Sequence, residues 1–414
     1  MIAKVVLAIF TPLSEDFLNS ALLIGPLDLW AIVKTDGAYL LWMLTAKGIY
    51  TVWQLLPLDH PAMESIAGFW YFIPSLSSQV LILLLKLPLI IFDGLCAFAI
   101  YKIGFWYTGS SDKSLTASAL WLLNPYVTIT SEMLGNYDVI VVFFFLMSIF
   151  YFLKGRYIQA GVTLMVSTTL KPYPILLLPT FIIILVRQKE VKGALKLGVT
   201  VMLFAVGILI PLISIAPTRS HLAGLFYYYF EKGSAFFIGF FLESYATKTS
   251  FLHVQIGLTI VFSTLYIFIM SEFWQTGKKS ILDAILGFCL IIFAFSFWHP
   301  QLLLWILPII TLDCLLNRTP KPYPILFTLT AFIFELIYFS FYFASHGHGF
   351  FFIPNYNPEL LTLSKSILDL YKTPFWIGPI AIIARSIFMS ICLFYLVRII
   401  LRNTRFNTLR PHEE

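Results

Sequence analysis

The chain alternates between long apolar runs and short polar breaks along most of its length. The runs lie near residues 2–12, 79–103, 117–131, 138–153, 157–170, 174–187, 195–215, 253–273, 281–297, 301–316, 323–345 and 375–401. Helices of roughly 17–25 apolar residues cross a bilayer, and the alternating segments of a membrane β-barrel are missing from the sequence. The pattern predicts an all-α polytopic membrane protein, a bundle of about 12 membrane helices.

Residues 1–414 are predicted to form a single transmembrane domain. Residues 13–78 interrupt the pattern and are rich in Trp and Tyr, which favour the headgroup zone of a membrane. This segment is predicted to be the first extracytoplasmic loop, with interfacial helices, although 38–58 could instead insert as a span interrupted by Lys47. The transmembrane bundle is then 79–401, and 402–414 is a basic cytoplasmic tail.

Composition agrees with a membrane protein, since 59% of the residues are hydrophobic and 12% are charged. Soluble domains carry about 25% charged residues. The formal net charge of +6 could indicate nucleic acid, but Lys and Arg, Lys4 among them, concentrate on every second connection. The positive-inside rule makes those connections cytoplasmic, so the charge reflects topology and no nucleic-acid partner is expected. The four cysteines have no paired spacing and are expected to be inert buried thiols, and no cleavable signal peptide is evident.

The remaining connections are expected on the extracytoplasmic face. They carry the polar groups of 15–16, 135–138, 171–174, 298–301 and 346–348. Polar groups at membrane depth are costly and often line a pathway or site. The sequence therefore predicts a site on this face.

The first outer loop offers Glu15 and Asp16 directly after an apolar run, where a carboxylate could act as a general base. A solvated loop acid is the plainer interpretation. Asp138 begins an apolar run and could simply favour the positive end of a helix. Lys171 lies at the end of a predicted helix, which Pro172 stops. Its ammonium could bind a phosphate, or its side chain could merely extend to the membrane interface.

Histidines and mid-span charges complete the candidates. His299 could hydrogen-bond the same phosphate or be a satisfied interfacial histidine, and His346 and His348 have no third ligand nearby, so no metal site is predicted. Lys86 and Asp93 are seven residues apart, on one helical face, and are expected to point into the bundle. Glu335 and Arg385 are expected to pair, with a lipid-phosphate contact as the alternative for Arg385.

The sequence contains no phosphate-binding loop, nucleotide fingerprint, zinc-protease motif or triad spacing. A nucleotide-driven pump or an enzyme with a cytosolic nucleotide-sugar domain is therefore disfavoured. Acid and base groups at the outer edge of an apolar chain suit a substrate that is itself a lipid.

The central stretch resembles a known family. Asn124-Pro125, then Gly135-Asn136-Tyr137-Asp138, then Lys171 before Tyr173-Pro174 look like the core of the GPI mannosyltransferase I catalytic subunit. That family belongs to the GT-C class of polyprenyl-phosphate-sugar-dependent glycosyltransferases. Residues 86–102 and 296–312 are also similar, so the likeness covers much of 79–187 and one later segment.

The resemblance implies a GT-C-like bundle with its site facing outward and dolichyl-phosphate mannose as donor. By position, the family's first-loop carboxylate is Glu15 or Asp16, its Gly-Asn-x-Asp supplies Asn136 and Asp138, and its Lys-x-Tyr-Pro supplies Lys171 and Tyr173. The family often has Asp-x-Asp in that loop, where this chain has Ser-Glu-Asp.

The sequence thus favours an inverting glycosyltransferase, expected to be a mannosyltransferase, with a carboxylate base. Its expected partners are a polyprenyl- or dolichyl-phosphate sugar, a glycan, glycolipid or protein acceptor, the bilayer and a small membrane subunit. No cofactor is expected, and a divalent metal is neither required nor excluded. A transporter or flippase of lipid-linked sugars and a non-catalytic partner subunit are the alternatives. The expected location is multi-pass in the plasma membrane of a prokaryote or the endoplasmic reticulum of a eukaryote.

Overall fold

A computed structural model describes residues 2–10, 40–59, 63–66, 69–72, 75–133, 135–171, 173–210, 281–295, 300–316, 325–330, 333 and 377–408. These residues are mostly helical, as the apolar pattern predicts. The first helices are α1 (Ile2–Phe10), α2 (Leu40–Gln54), α3 (Leu76–Thr108) and α4 (Ser111–Leu122). They are followed by α5 (Asp138–Leu153), α6 (Tyr157–Leu170), α7 (Leu177–Arg187), α8 (Val191–Phe204), α9 (Ile281–Phe295), α10 (Leu307–Leu315) and α11 (Ile377–Thr408).

The expectation of an all-α chain misses one hairpin. Strands β1 (Met63–Ile66) and β2 (Phe69–Phe72) pair antiparallel, with Met63 opposite Phe72 and Ile66 opposite Phe69. The hairpin lies between α2 and α3, inside the segment 13–78, which the sequence pattern predicts to be a loop with interfacial helices. Of that segment, α2 supplies a helix of 15 residues.

Helix α3 is the longest element among the described residues, with 33 residues, or about 50 Å at 1.5 Å per residue. Ser75 and Ser78 form a capping box at its start, so two backbone N–H groups find partners there. At its end, Gly109 adopts a left-handed conformation (φ 64°) and its N–H donates to Phe105 O. Such a conformation is costly for residues with a Cβ atom.

Two helices of the described chain are long and apolar enough to cross a bilayer, Leu76–Thr108 and Val191–Ile208. Several neighbours are shorter than the sequence pattern implies. The apolar run 117–131, expected as one pass, is divided among α4, a helical turn at Pro125–Val127 and a π-helical turn at Thr128–Met133. Helices α4, α5 and α6 have 12, 16 and 14 residues, which gives about 18–24 Å each against about 30 Å of hydrocarbon.

The short helices pack beside the middle of α3. Ser118 of α4 donates to Ala97 O at 2.7 Å, and the Cys96 thiol donates to Val139 O of α5 at 3.3 Å. Helix α6 then packs against α5, where the Ser167 hydroxyl donates to Val141 O at 2.8 Å. These contacts bring the beginning of α5 and the end of α6 together, well away from either end of α3.

Candidate functional site

Asp138 and Lys171 form a buried ion pair where α5 begins and α6 ends. Lys171 Nζ lies 2.8 Å from Asp138 Oδ2, and both side chains are buried. Thirty-three residues separate the two partners in sequence. Isolated charges are strongly disfavoured in an apolar interior, so each ion provides the compensation that the other needs. The two motifs that carry the family resemblance therefore meet in one contact.

The second oxygen of Asp138 binds a side chain from a distant part of the chain. Trp305 Nε1 donates to Asp138 Oδ1 at 3.0 Å, from the 3₁₀ turn Pro300–Trp305 that precedes α10. The indole also stacks on the ring of Tyr173, with 11° between the ring planes. The Tyr173 hydroxyl is buried and has no hydrogen-bond partner among the described residues. A tyrosine ring thus packs on the indole that binds the Asp138 carboxylate.

The turn before α5 fixes the carboxylate. Gly135 has a positive φ of 73°, and the Asn136 side-chain oxygen accepts from the backbone N–H of Asp138 at 2.9 Å. This is the side-chain-to-backbone contact of an Asx turn. Asn136 therefore contributes to the site by holding Asp138 in place.

Aromatic rings extend the site toward α2. The Lys171 ammonium lies 5.1 Å from the centroid of the Tyr137 ring, within the range of a cation–π interaction. Tyr137 stacks on Trp42 of α2, with centroids 5.1 Å apart and planes 8° apart. Part of the segment predicted as the first outer loop therefore packs on the Tyr137 ring that faces Lys171.

A second buried polar centre lies between α1, α3 and the π-helical turn. Lys4 Nζ lies 2.7 Å from Asp93 Oδ2 and 3.2 Å from Glu132 Oε1. Trp121 Nε1 donates to Asp93 Oδ1 at 2.7 Å. Lys4 is thus buried within α1 against the middle of α3, where two buried carboxylates hold its ammonium, and it does not belong to a polar connection as the charge pattern predicted.

Lys86 adds a second cation beside this centre. Its side chain is fully buried, and its ammonium donates to Ala8 O at 3.1 Å and to Met133 O at 2.7 Å. With Lys4, Asp93 and Glu132 the centre contains two formal cations and two carboxylates. The prediction that Lys86 and Asp93 point into the bundle is confirmed, since both are completely buried.

The structure brings together four of the predicted site residues, Asn136, Asp138, Lys171 and Tyr173. Glu15, Asp16, His299, Glu335 and the histidines at 346 and 348 lie outside the described residues. Arg385 lies within α11, but its side chain is not among those that the structure describes. In the described part of the chain, no group of three or more His, Cys, Asp or Glu side chains could hold a metal ion.

Sequence reasoning missed Trp305, Trp42 and Glu132. Trp305 is 167 residues from the carboxylate it binds, and no local spacing indicates that contact. Glu132 directly follows an apolar run and precedes the Gly-Asn-x-Asp motif by three residues, a charged position at membrane depth that could have been noticed.

Comparison with known proteins adds no family: no family model and no curated protein matches this chain.

Proposed function

We propose that this chain is a multi-pass membrane glycosyltransferase that takes a sugar from a polyprenyl-phosphate donor, mannose by resemblance, on the extracytoplasmic or lumenal face. The observation that carries the proposal is the Asp138–Lys171 ion pair. It joins the Gly-Asn-x-Asp and Lys-x-Tyr-Pro motifs, on which the resemblance to the GT-C class rests, at one buried point.

Lys171 has the chemistry of a phosphate ligand. An ammonium carries three N–H donors. In the described part of the chain, Lys171 uses one of them on Asp138. The remaining donors suit the oxygens of a lipid monophosphate. Tyr173, whose ring stacks on Trp305, offers a further hydroxyl that has no hydrogen-bond partner among the described residues. Asp138, which Trp305 in turn binds, holds the ammonium in place for that contact.

The position of the pair also suits a lipid donor. It lies beside the middle of α3, an apolar helix long enough to cross a bilayer. An isoprenoid chain can stay in hydrocarbon while its phosphate reaches a recessed cation. A freely soluble nucleotide sugar would have to lose its hydration to reach the same depth.

The proposed reaction is an in-line displacement at the anomeric carbon. Glu15 or Asp16 takes the proton of the acceptor hydroxyl, and the acceptor oxygen bonds to the anomeric carbon from the face opposite the phosphate. The bond from that carbon to the phosphate oxygen breaks, its electron pair leaves with the lipid phosphate, and the configuration inverts. Lys171 stabilises the charge that develops on the phosphate, an effect that strengthens where water is excluded.

The test is a transfer assay on membranes that contain the protein, with radiolabelled dolichyl-phosphate mannose as donor and endogenous acceptors. Wild type is compared with the double variant Glu15→Gln/Asp16→Asn, and with the same membranes given a nucleotide sugar. We expect product from the lipid donor with wild type only. Transfer that survives the double change would eliminate the general base, and transfer from the nucleotide sugar alone would eliminate the lipid donor.

A further inference from the structure

Lys86 joins two backbone segments that are remote in sequence. Its ammonium donates to the carbonyl of Ala8, in the last turn of α1, at 3.1 Å. The same ammonium donates to the carbonyl of Met133, the last residue of the π-helical turn, at 2.7 Å. One donor group thus binds two backbone carbonyls from different parts of the chain, and its removal would leave both without that partner.

Both restrained segments lead into the proposed site. Ala8 is seven residues before Glu15, the first of the two candidate base residues. Met133 is two residues before Gly135, where the turn that presents Asn136 and Asp138 begins. A single buried side chain therefore contacts the backbone shortly before each of these two sequence positions.

Helix α1 is held at a second point on the same face. Lys4 is four residues before Ala8, one turn earlier, and residues at that spacing share a helix face. Lys4 binds Glu132, the neighbour of Met133, and also Asp93 of α3. The two contacts together clamp α1 against the π-helical turn and against α3.

We propose that Lys86 is a positioning residue, which holds the end of α1 against the π-helical turn that leads to Asn136 and Asp138. This inference rests on the proposed function. It adds a residue, distant from the reacting atoms, that governs the alignment of base and donor phosphate. A cation that merely neutralised Asp93 and Glu132 would stabilise the fold without affecting that alignment.

The first measurement is hydrogen–deuterium exchange of the full chain in nanodiscs, which needs no substrate. It compares wild type with Lys86→Met, which removes the ammonium, and with Lys86→Arg, which keeps a cationic donor. Lys102→Met, a lysine-to-methionine change nearer the other end of α3, is the control. In Lys86→Met we expect exchange about tenfold faster in 2–10 and 130–138, with α6 within about twofold of wild type.

The second measurement separates kcat from KM in the mannose-transfer assay. If Lys86 aligns the base with the donor, Lys86→Met lowers kcat by about 100-fold. The KM for dolichyl-phosphate mannose should stay within about twofold, because Lys171 still binds the phosphate. Lys86→Arg should recover at least part of kcat, and Lys102→Met should behave as wild type.

Three results would overturn the positioning role: unchanged exchange in 2–10 and 130–138, faster exchange throughout the bundle including α6, or local loosening with unchanged kcat. A wild-type protein that transfers no mannose would overturn the proposed function instead. The exchange measurement distinguishes these failures, since it tests the Lys86 contacts whether or not transfer occurs.

Discussion

Asp138 is completely buried, and each of its carboxylate oxygens has a partner, Lys171 for one and Trp305 for the other. Removing one member of a buried pair leaves an uncompensated charge, whereas replacing both with apolar residues is often nearly neutral. Comparing the single variants with the double variant therefore separates the contribution of the Asp138–Lys171 pair to stability from its contribution to a reaction.

The single changes Asp138→Leu and Lys171→Met should each lower the free energy of unfolding by roughly 3–5 kcal/mol. The double variant Asp138→Leu/Lys171→Met should recover most of that loss, because no charge is left unpaired. Unfolding in detergent, followed by circular dichroism, measures both effects. If the pair serves the proposed reaction, all three variants should lose mannose transfer. A stable double variant with wild-type transfer would make the pair purely structural.

At the scale of single residues, the sequence predicts the ionisable side chains of the site better than the side chains that contact them. Asp138 and Lys171 are conspicuous because each is a charge at the end of an apolar run, where a polar group at membrane depth is costly. Trp305 is not conspicuous, because aromatic residues are common in apolar runs and the Asp138 carboxylate that Trp305 binds is 167 residues away. The carboxylate partners of Lys4 could not be predicted either, because a lysine near the start of a chain also fits a cytoplasmic anchor.

At the scale of elements, helix-breaking residues determine what the apolar runs become. Asn124 caps a new turn by accepting from the Tyr126 backbone N–H at 2.9 Å, and Pro125 occupies its first position. Pro is favoured there because it has no N–H to leave unsatisfied. The length of the apolar run 117–131 alone predicts one membrane pass. Asn124 and Pro125 instead divide it into the end of α4, a helical turn and a π-helical turn.

The contact between α6 and α8 depends on Gly193. A Cβ atom at that position would lie 2.5 Å from Tyr157 Cε2, in a ring whose hydroxyl donates to Glu190. Gly193→Ala should therefore displace the ring and lower the free energy of unfolding by about 1–3 kcal/mol, the usual cost of overpacking. Thermal unfolding in detergent measures the change.

Gly198 of the same helix is the matched control. A Cβ atom there meets nothing within 4 Å, so Gly198→Ala should be neutral or stabilise α8 by about 0.5–1 kcal/mol. The packing argument would be wrong if the two alanine variants unfolded at the same temperature.

At the scale of the whole molecule, apolar pattern and charge predict helices and a membrane, while the arrangement depends on contacts between distant segments. The β1–β2 hairpin lies in a segment whose tryptophans and tyrosines suit both an interface and a strand. The middle of α3, with Asp93 and Cys96, contacts α1, α4 and α5. None of those contacts follows from periodicity, because each depends on side chains that meet across separate helices.

The orientation of the bundle can be tested through two connections that the structure holds together. Tyr157 begins α6 directly after the connection 154–156, and its hydroxyl donates to Glu190 in the connection before α8. Lys and Arg lie in or directly beside both connections, which the positive-inside rule makes cytoplasmic. Lys154→Cys and Lys189→Cys should therefore react with a membrane-impermeant maleimide only from the cytoplasmic side. Asp59→Cys, in the predicted first outer loop, should react only from the other side.

Labelling of Lys154→Cys and Lys189→Cys from opposite sides would contradict the Tyr157–Glu190 contact. Labelling of both from outside would instead invert the chain and move the proposed reaction to the cytoplasmic face.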